Sequence, residues 1–201
     1  MPTSRLSKEG REDARLARCA RQGDADAFTL LVEKYQDRVY NVVYRMVGDR
    51  QEALDLAQDT FVRAFEGLHG FNARKPFGAW LLRIATNASI DRLRRRARTG
   101  EMHYAALGGA GADEAGAVVM ELPGAEAEIP ENVIVRNETA DIVQRVLLGL
   151  PANYRAVLVL HHMEGLSYTE IAGVLGVPKN TAKTWAHRAR KMLVDSLEEV
   201  V

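Results

Sequence analysis

The chain of 201 residues carries 27 basic and 27 acidic side chains, a formal net charge of zero, which at first sight argues against a nucleic-acid-binding protein. Its composition, 47% hydrophobic and 27% charged, is typical of a globular protein with one large or two small domains. A low aromatic content of 6%, together with abundant Ala, Leu, Arg and Glu, favours helix. The lack of a long uncharged apolar stretch excludes a membrane-spanning helix, and the charged N-terminal region excludes a secretory signal. The single Cys19 cannot form an internal disulfide, so we expect a cytoplasmic protein. Histidine is scarce and no Cys/His ligand spacing occurs, so we expect neither a metal site nor a cofactor.

Amphipathic helices are predicted along the first half of the chain, because apolar residues recur there at steps of three and four. The first helix covers Phe28 to Met46, the second about 51–68, and the third starts near Pro76, since proline suits a first helical turn. A break in the third helix is predicted around Thr86–Asn87, before the chain enters an arginine-rich tail. No strand is expected, because no run with a period of two is sustained.

A segment rich in glycine, alanine and acidic residues follows these helices. Its glycines and prolines interrupt any helical period, and its alanines offer little apolar surface to bury. The sequence therefore predicts an N-terminal tail at 1–14, a helical domain at 15–98, a flexible linker at 99–131 and a second helical domain at 132–201.

The second domain contains a helix-turn-helix pattern. Two helices are predicted first, at about 133–150 and 154–163. Ser167 and Glu170 then form a capping box at the start of a short helix, and Gly176 permits the turn that follows it. Two short helices about a glycine turn, the second opened by Pro178 and rich in basic residues, are typical of a DNA-binding motif.

The last helix divides into an apolar and a polar face. At 100° per residue, Ala182, Ala186, Ala189 and Leu193 fall within roughly 60° of one another and are expected to face the core. Trp185, beside that face, is expected to pack as well. Polar and basic side chains on the other side suit phosphates and base edges.

The charges are strongly segregated along the chain. Residues 74–98 hold eight basic and one acidic side chains, residues 99–141 hold one basic and nine acidic, and residues 175–192 hold five basic and none acidic. Electrostatic attraction to phosphate acts over about 8–10 Å at ordinary salt, so local patches matter more than the total. The net charge of zero therefore does not exclude DNA binding.

Three motifs in this order resemble the extracytoplasmic-function (ECF) sigma factors, which are small sigma subunits of bacterial RNA polymerase. The first is DLAQDTFVRAF at 55–65, the second is FGAWLLRIATN at 77–87 with DRLRR at 91–95, and the third spans 150–190. The resemblance implies an all-α protein of two small domains, a region 2 helical bundle and a region 4 helix-turn-helix.

The resemblance implies that the first domain binds the clamp helices of the largest polymerase subunit. The candidate polymerase-binding residues are Asp55, Gln58, Asp59, Phe61, Val62 and Phe65. Acidic and amide groups interleaved with apolar anchors suit an interface with basic helices. The alternative is an ordinary solvated helix face with the two phenylalanines in the core.

The resemblance also implies that the first domain reads the −10 promoter element, where a loop between two helices captures a flipped base. Residues 85–88 match that loop, and Asn87 offers both a donor and an acceptor to a Watson–Crick edge. The candidate −10 residues are Arg83, Thr86, Asn87, Ala88, Asp91, Arg92, Arg94 and Arg95, with the arginines on phosphates. As alternatives, Asn87 is a helix cap, the arginines form a solvated run, and Trp80 is a core residue rather than a melting wedge.

The helix-turn-helix is expected to bind the −35 element in the major groove. The candidate −35 residues are Lys179, Asn180, Thr181, Lys183, Thr184, His187 and Arg188. The helix N-terminus after Pro178 favours phosphate contact. Family members often have glycine where Asn180 stands and arginine where Trp185 stands, so both departures bear on −35 specificity.

The implied mechanism is recruitment rather than catalysis. The expected partners are core RNA polymerase, through its clamp helices and β flap, promoter DNA, and an anti-sigma factor. The acidic linker either enters the polymerase channels or acts as a passive tether.

Two other classes of protein remain open at this point. A helix-turn-helix regulator would carry a sensor domain first, which has no need of an acidic helix followed by a basic, Asn-containing one. An enzyme would have to use the cluster from His161 to Glu164, whose spacing suits no common metal site.

Overall fold

The computed structural model describes residues 7–99 and 141–198, and every regular element within those two ranges is a helix. The all-α fold class is therefore confirmed for the described part of the chain. The predicted linker from residue 100 onward and the first residues of the second domain lie outside it.

The first half is a bundle of four helices: α1 Lys8–Arg21, α2 Ala25–Val47, α3 Arg50–Gly67 and α4 Phe77–Thr99, with a 3-10 turn at Leu68–Gly70. Side chains of Ser7, Asp24 and Asp49 accept backbone hydrogen bonds at the starts of α1, α2 and α3. Helix α1 begins inside the segment expected to be a tail, and its Asp13 and Ala14 are buried.

The second half contains α5 (helical residues 141–149), α6 Ala152–Leu158 with a π-helical turn at Val159–Met163, α7 Tyr168–Leu175 and α8 Lys179–Glu198. The capping box of Ser167 and Glu170 is formed at the start of α7. Gly176, with φ of +67°, ends α7 in the left-handed region that glycine adopts readily, which allows the sharp turn into α8.

Helix α4 is continuous, so the predicted break at Thr86–Asn87 was wrong. Thr86, Ala88 and Ser89 are buried, and Ser89 donates its hydroxyl to the carbonyl of Ala85 at 2.9 Å inside the helix. Burial outweighs the weak helix propensity of Thr, Asn and Ser, and the bond satisfies the hydroxyl of Ser89 within the buried helix. The loop that separates two helices lies earlier, between α3 and α4.

The two halves share one hydrophobic core. Helix α7 packs against α4, and the π-helical turn packs against α2. The main buried cluster draws residues from α1 to α4 and from α6 to α8. Leu31, Val39 and Leu81 from the first half and Leu160 and Ile171 from the second are all fully buried within it. The domains are therefore in direct contact in this arrangement.

Polar contacts lock the seam between the halves. The buried guanidinium of Arg155 donates to the carbonyl of Met46 at the end of α2, and Arg38 of α2 forms an ion pair with Glu164, whose side chain is 7% exposed. Gln144 of α5 bonds Arg45 at 3.0 Å.

Helix α5 also packs closely against the end of α2. A Cβ added at Gly48 would lie 2.5 Å from a methyl carbon of Leu148, and Gly48 has a φ of +82°. Both the left-handed backbone and the approach of Leu148 therefore require glycine here.

A buried carboxylate joins α1 to α2. Asp13, 2% exposed, accepts hydrogen bonds from the hydroxyl of Tyr35 at 2.7 Å and from Nζ of Lys34 at 2.6 Å. Burial and the bond to Asp13 raise the pKa of Tyr35. Burial disfavours the charged form of Lys34, but its bonds to Asp13 and Glu9 raise its pKa overall.

Candidate protein and nucleic-acid interfaces

Helix α3 presents an apolar stripe to solvent because small residues form its core face. Ala53, Ala57, Thr60 and Ala64 are buried, so the backbone of α3 lies close to the bundle. The opposite side carries three large apolar side chains that remain about half exposed, namely Leu54 (47%), Val62 (56%) and Phe65 (51%). Isolated exposed apolar residues are ordinary, but a stripe with polar borders is typical of a protein interface.

An acidic edge borders this stripe. Asp55 is exposed and accepts a bond from Gln51 at 3.4 Å, and Asp59 pairs with Arg63 one turn later at 2.8 Å. Gln58 is exposed between Leu54 and Val62. The structure therefore brings most of the candidate polymerase-binding residues onto one face.

The two phenylalanines of the motif have different surroundings. Phe61 is partly buried and packs against the core, whereas Phe65 stays half exposed and meets Phe28 of α2 edge to face at 5.0 Å between ring centroids. Leu54 belongs to the exposed stripe and was not among the candidates. Leu54 lies four residues before Gln58 and eight before Val62, and this helical spacing could have identified it as part of the same face.

Helix α4 carries an exposed polar stripe on one side. Arg83, Asn87, Asp91, Arg94 and Arg98 are all exposed and follow one another at steps of three or four. Such steps place side chains on one face of a helix, so Asn87 stands among arginines as expected. Asp91 lies 3.7 Å from Arg94 and partly offsets its charge.

Two candidates for −10 binding point inward. Thr86 and Ala88 are 0% and 5% exposed, and the hydroxyl of Thr86 has no hydrogen-bond partner among the described residues. In this arrangement neither side chain is accessible to a base.

Three arginines of the tail differ in their partners. Arg95 is exposed at the end of α4. Arg92 and Arg96 instead face α3, where both bind Glu52. The tail therefore does not present a single basic surface.

The segment between α3 and α4 is a loop that separates two helices, which is the arrangement that the sequence analysis expected at residues 85–88. Its Phe71 is buried against Trp80 at 5.0 Å, while Asn72, Arg74 and Lys75 are exposed. Asn72 Oδ1 accepts a bond from the backbone of Arg74 at 3.0 Å, which shapes the turn. The sequence predicted a gap here, between the helix at about 51–68 and the one starting near Pro76, but the base-reading role was assigned to residues 85–88 instead.

Trp80 is a core residue rather than an exposed wedge. It is half buried and packs on Phe71 and on Phe77 at 5.5 Å. The alternative that assigned it to packing is the one the structure supports.

Helix α8 has the two faces expected from its sequence. Ala182, Ala186 and Ala189 are buried, and their small size lets α8 approach α6 and α7 closely. The side chains left exposed on α8 include Lys179, Asn180, Lys183, Thr184, His187 and Arg188, whereas Thr181 is half buried. All but one of the candidate −35 residues are therefore accessible to a DNA groove.

Trp185 packs at the edge of α8. It is half buried, with its ring 6.3 Å from that of Tyr154, and Arg188 lies 3.4 Å from the hydroxyl of the same tyrosine. Thr184 donates to the carbonyl of Asn180 at 2.9 Å. Any base contact by Thr184 competes with this bond inside the helix.

His161 has a packing role, whereas His162 is exposed. His161 Nδ1 lies 2.8 Å from the carbonyl oxygen of Leu166, and its ring stacks on Tyr168 at 4.6 Å. No group of three or more potential metal ligands occurs within 7–99 or 141–198. Within these ranges, none of the helices combines the length and the hydropathy that a membrane-spanning segment requires.

Comparisons with known proteins agree with this layout. The family model for Sigma-70 region 2 matches residues 31–99, and that for Sigma-70 region 4 matches residues 140–193. The chain is 36% identical to the ECF RNA polymerase sigma factor SigW of Bacillus subtilis over 180 residues, 90% of this chain and 94% of that relative. It is 33% identical to the RNA polymerase sigma-H factor of Pseudomonas aeruginosa, over 94% of this chain and 96% of the relative.

Solved structures include a similar fold. CnrH, solved in complex with the cytosolic domain of CnrY, has a TM-score of 0.67 to this chain at 26% identity, covering 94% of this chain and 98% of CnrH.

Proposed function

The chain belongs to the ECF sigma factors of RNA polymerase, and from that premise we propose how its surfaces divide the work of promoter recognition. The α3 face binds core polymerase, the α4 stripe with the preceding loop binds the −10 element, and α8 binds the −35 element. The chain acts by recruitment, with no chemical step of its own.

The observation that carries this proposal is the separation of three different surfaces on one small fold. An apolar stripe with an acidic edge on α3 suits a basic protein surface. Arginines around Asn87 on α4 suit a nucleic-acid strand, because phosphates need cations and an unstacked base needs an amide. A sensor domain has no use for this pairing, so the rival helix-turn-helix regulator is disfavoured.

We further propose that the base-reading loop is the exposed segment 72–75 rather than 85–88. Asn72 offers the same donor and acceptor groups as Asn87, and it lies in an exposed turn with Arg74 and Lys75 beside it. Asn87 then supports the bound strand from the adjoining helix. This revision follows from the continuity of α4.

The direct contact between the two halves, which we call the closed arrangement, suggests a second partner. CnrH forms a complex with the cytosolic domain of CnrY. We propose that an inhibitory protein likewise binds this chain and favours the closed arrangement, in which Thr86 is buried.

The deciding experiment is reconstituted transcription. Purified chain and core polymerase are expected to copurify and to initiate at a promoter selected from genomic fragments. Asn72→Ala and Asn87→Ala are expected to weaken −10 recognition and to retain core binding. Failure of the native chain to bind core polymerase would reject the proposal.

A further inference from the structure

The C-terminal tail of α4 carries five arginines within seven residues, and they do not share one face. Arg92 and Arg96 are four residues apart and lie on the side of α4 that faces α3. Arg94 and Arg98 are also four apart, and at 100° per residue they fall on roughly the opposite side of the helix. The tail therefore has an inner and an outer pair, with Arg95 exposed between them.

One carboxylate binds the inner pair. Glu52 stands in the first turn of α3, where its Oε1 bonds Nε of Arg92 and its Oε2 lies 2.9 Å from Nη2 of Arg96. The Glu52 side chain is only 11% exposed, and that of Arg96 is 27% exposed, against 63% for Arg94. Low exposure weakens solvent screening, so the pair with Arg96 is stronger than an ordinary surface pair, whereas Arg92, whose side chain is 42% exposed, is screened more.

The groove around the inner pair is also unfavourable for phosphate. Its α3 wall carries Asp49, Asp55 and Asp59 in addition to Glu52. A phosphate that approached Arg92 or Arg96 would have to displace Glu52 and tolerate three more carboxylates. Within residues 7–99 and 141–198, the groove lined by Arg94, Arg95 and Arg98 carries one carboxylate, that of Asp91.

We propose that Glu52 is a positioning residue that withholds Arg92 and Arg96 from DNA phosphates and leaves Arg94, Arg95 and Arg98 to bind them. This deepens the proposed function of α4, on which it rests, by dividing the arginine tail into two parts. The polymerase-binding helix thereby determines how many cations the −10-binding helix offers to DNA. Arg92, a candidate −10 residue, then acts in the inner pair.

The test counts the ions released when the full chain, without polymerase, binds a DNA duplex. Fluorescence anisotropy gives the affinity between about 50 and 200 mM salt, and each phosphate contact adds about 0.9 to the slope of log affinity against log salt. Glu52→Gln is expected to steepen that slope by about one to two contacts. The affinity lost over this salt range should then be about threefold to twelvefold larger than for the native chain.

Glu66→Gln is the matched control, since Glu66 lies on the same helix, is exposed and loses the same charge. Its slope is expected to equal that of the native chain. Adding Arg92→Ala and Arg96→Ala to Glu52→Gln should restore the native slope, which a general loosening of the fold would not do.

A second comparison does not depend on how well Glu52→Gln folds. In the native background, Arg96→Ala is expected to leave the slope unchanged, whereas Arg94→Ala should lower it by about 0.9. Any of three results would overturn the proposal. The first is an unchanged slope for a folded Glu52→Gln chain, and the second is that this chain does not bind DNA at the lowest salt. The third is an equal decrease in slope for Arg96→Ala and Arg94→Ala. This binding assay contains no polymerase, so its result is independent of the transcription assay that tests the proposed function.

Discussion

Arg155, in the second half of the chain, donates a hydrogen bond to the carbonyl oxygen of Met46 at the end of α2 in the first half. The same guanidinium donates to the carbonyls of Leu148 at 2.5 Å and Leu150 at 3.0 Å, at the end of α5. Burial lowers the pKa of Arg155 to about 10, so it remains a cation at neutral pH. One side chain therefore caps two helix C-termini, whose carbonyls carry partial negative charge.

We expect Arg155→Met to lower the free energy of unfolding by about 3 kcal/mol, because it leaves buried carbonyl groups without a donor. Urea denaturation followed by circular dichroism measures the change. Arg145→Met, at an exposed position on α5, is the control and should cost no more than about 0.5 kcal/mol. A loss below about 1 kcal/mol for Arg155→Met would show that water or neighbouring groups replace the guanidinium.

The contact between Tyr35 and Asp13 predicts a loss of stability at alkaline pH. Burial and the bond to Asp13 raise the pKa of Tyr35 above its ordinary value of 10.0, so the folded chain keeps a proton that the unfolded chain releases. This stabilisation is complete below about pH 10 and is lost as the pH rises further. The raised pKa of Lys34 acts in the same direction.

Thermal unfolding between neutral pH and pH 11 tests this prediction. The melting temperature of the native chain should fall above about pH 10, and that of Tyr35→Phe should fall less steeply. Equal slopes for the two chains would mean that Tyr35 does not titrate differently in the folded and unfolded states.

The exposed stripe of α3 predicts that apolar truncation weakens polymerase binding without unfolding the chain. Leu54→Ala and Val62→Ala should each cost about 1–2 kcal/mol of binding, roughly tenfold in dissociation constant. Each should lower the free energy of unfolding by about 0.5 kcal/mol, since both side chains are half exposed.

Leu30→Ala is the control for this pair, because Leu30 is also exposed but lies on α2. It should leave the affinity for core polymerase unchanged. Equal losses for Leu30→Ala and Leu54→Ala in a binding titration would place the interface elsewhere.

The exposed position of Lys183 on α8 predicts a phosphate contact. Lys183→Ala should weaken binding of the holoenzyme to promoter DNA and reduce the salt dependence by about one ion. The weakening should be similar for different −35 sequences, because a phosphate contact carries no sequence information. A loss confined to one −35 sequence would instead assign Lys183 to a base.

Much of this fold was predictable because its helices follow simple local rules. The apolar period gave α2 and α3, and the capping box with Gly176 gave the turn of the helix-turn-helix. The fold class and the family were thus readable from the sequence.

The misplaced loop shows where local rules fail. Thr86 and Asn87 are weak helix formers and suggested a break, but burial of α4 on several sides keeps it helical. The sequence did leave a gap at residues 71–76, between α3 and α4, but the burial of Phe71 against Trp80 and Phe77 in that gap follows no local rule.

Contacts between distant residues were also not predictable. Glu52 and Arg92 are 40 positions apart, and Arg155 and Met46 are 109 apart. No periodicity or composition connects such pairs, because they meet only when whole helices pack.

The shared core of the two halves weakens the binding of any partner that requires the halves to separate. Such a partner would bind only molecules in which the two halves have separated, so its apparent dissociation constant would be the intrinsic one divided by the fraction of separated molecules. Each 1.4 kcal/mol by which the contacts of Arg155 and Arg38 favour closure weakens that affinity about tenfold. Substitutions that remove these contacts are therefore expected to strengthen the apparent affinity for any such partner.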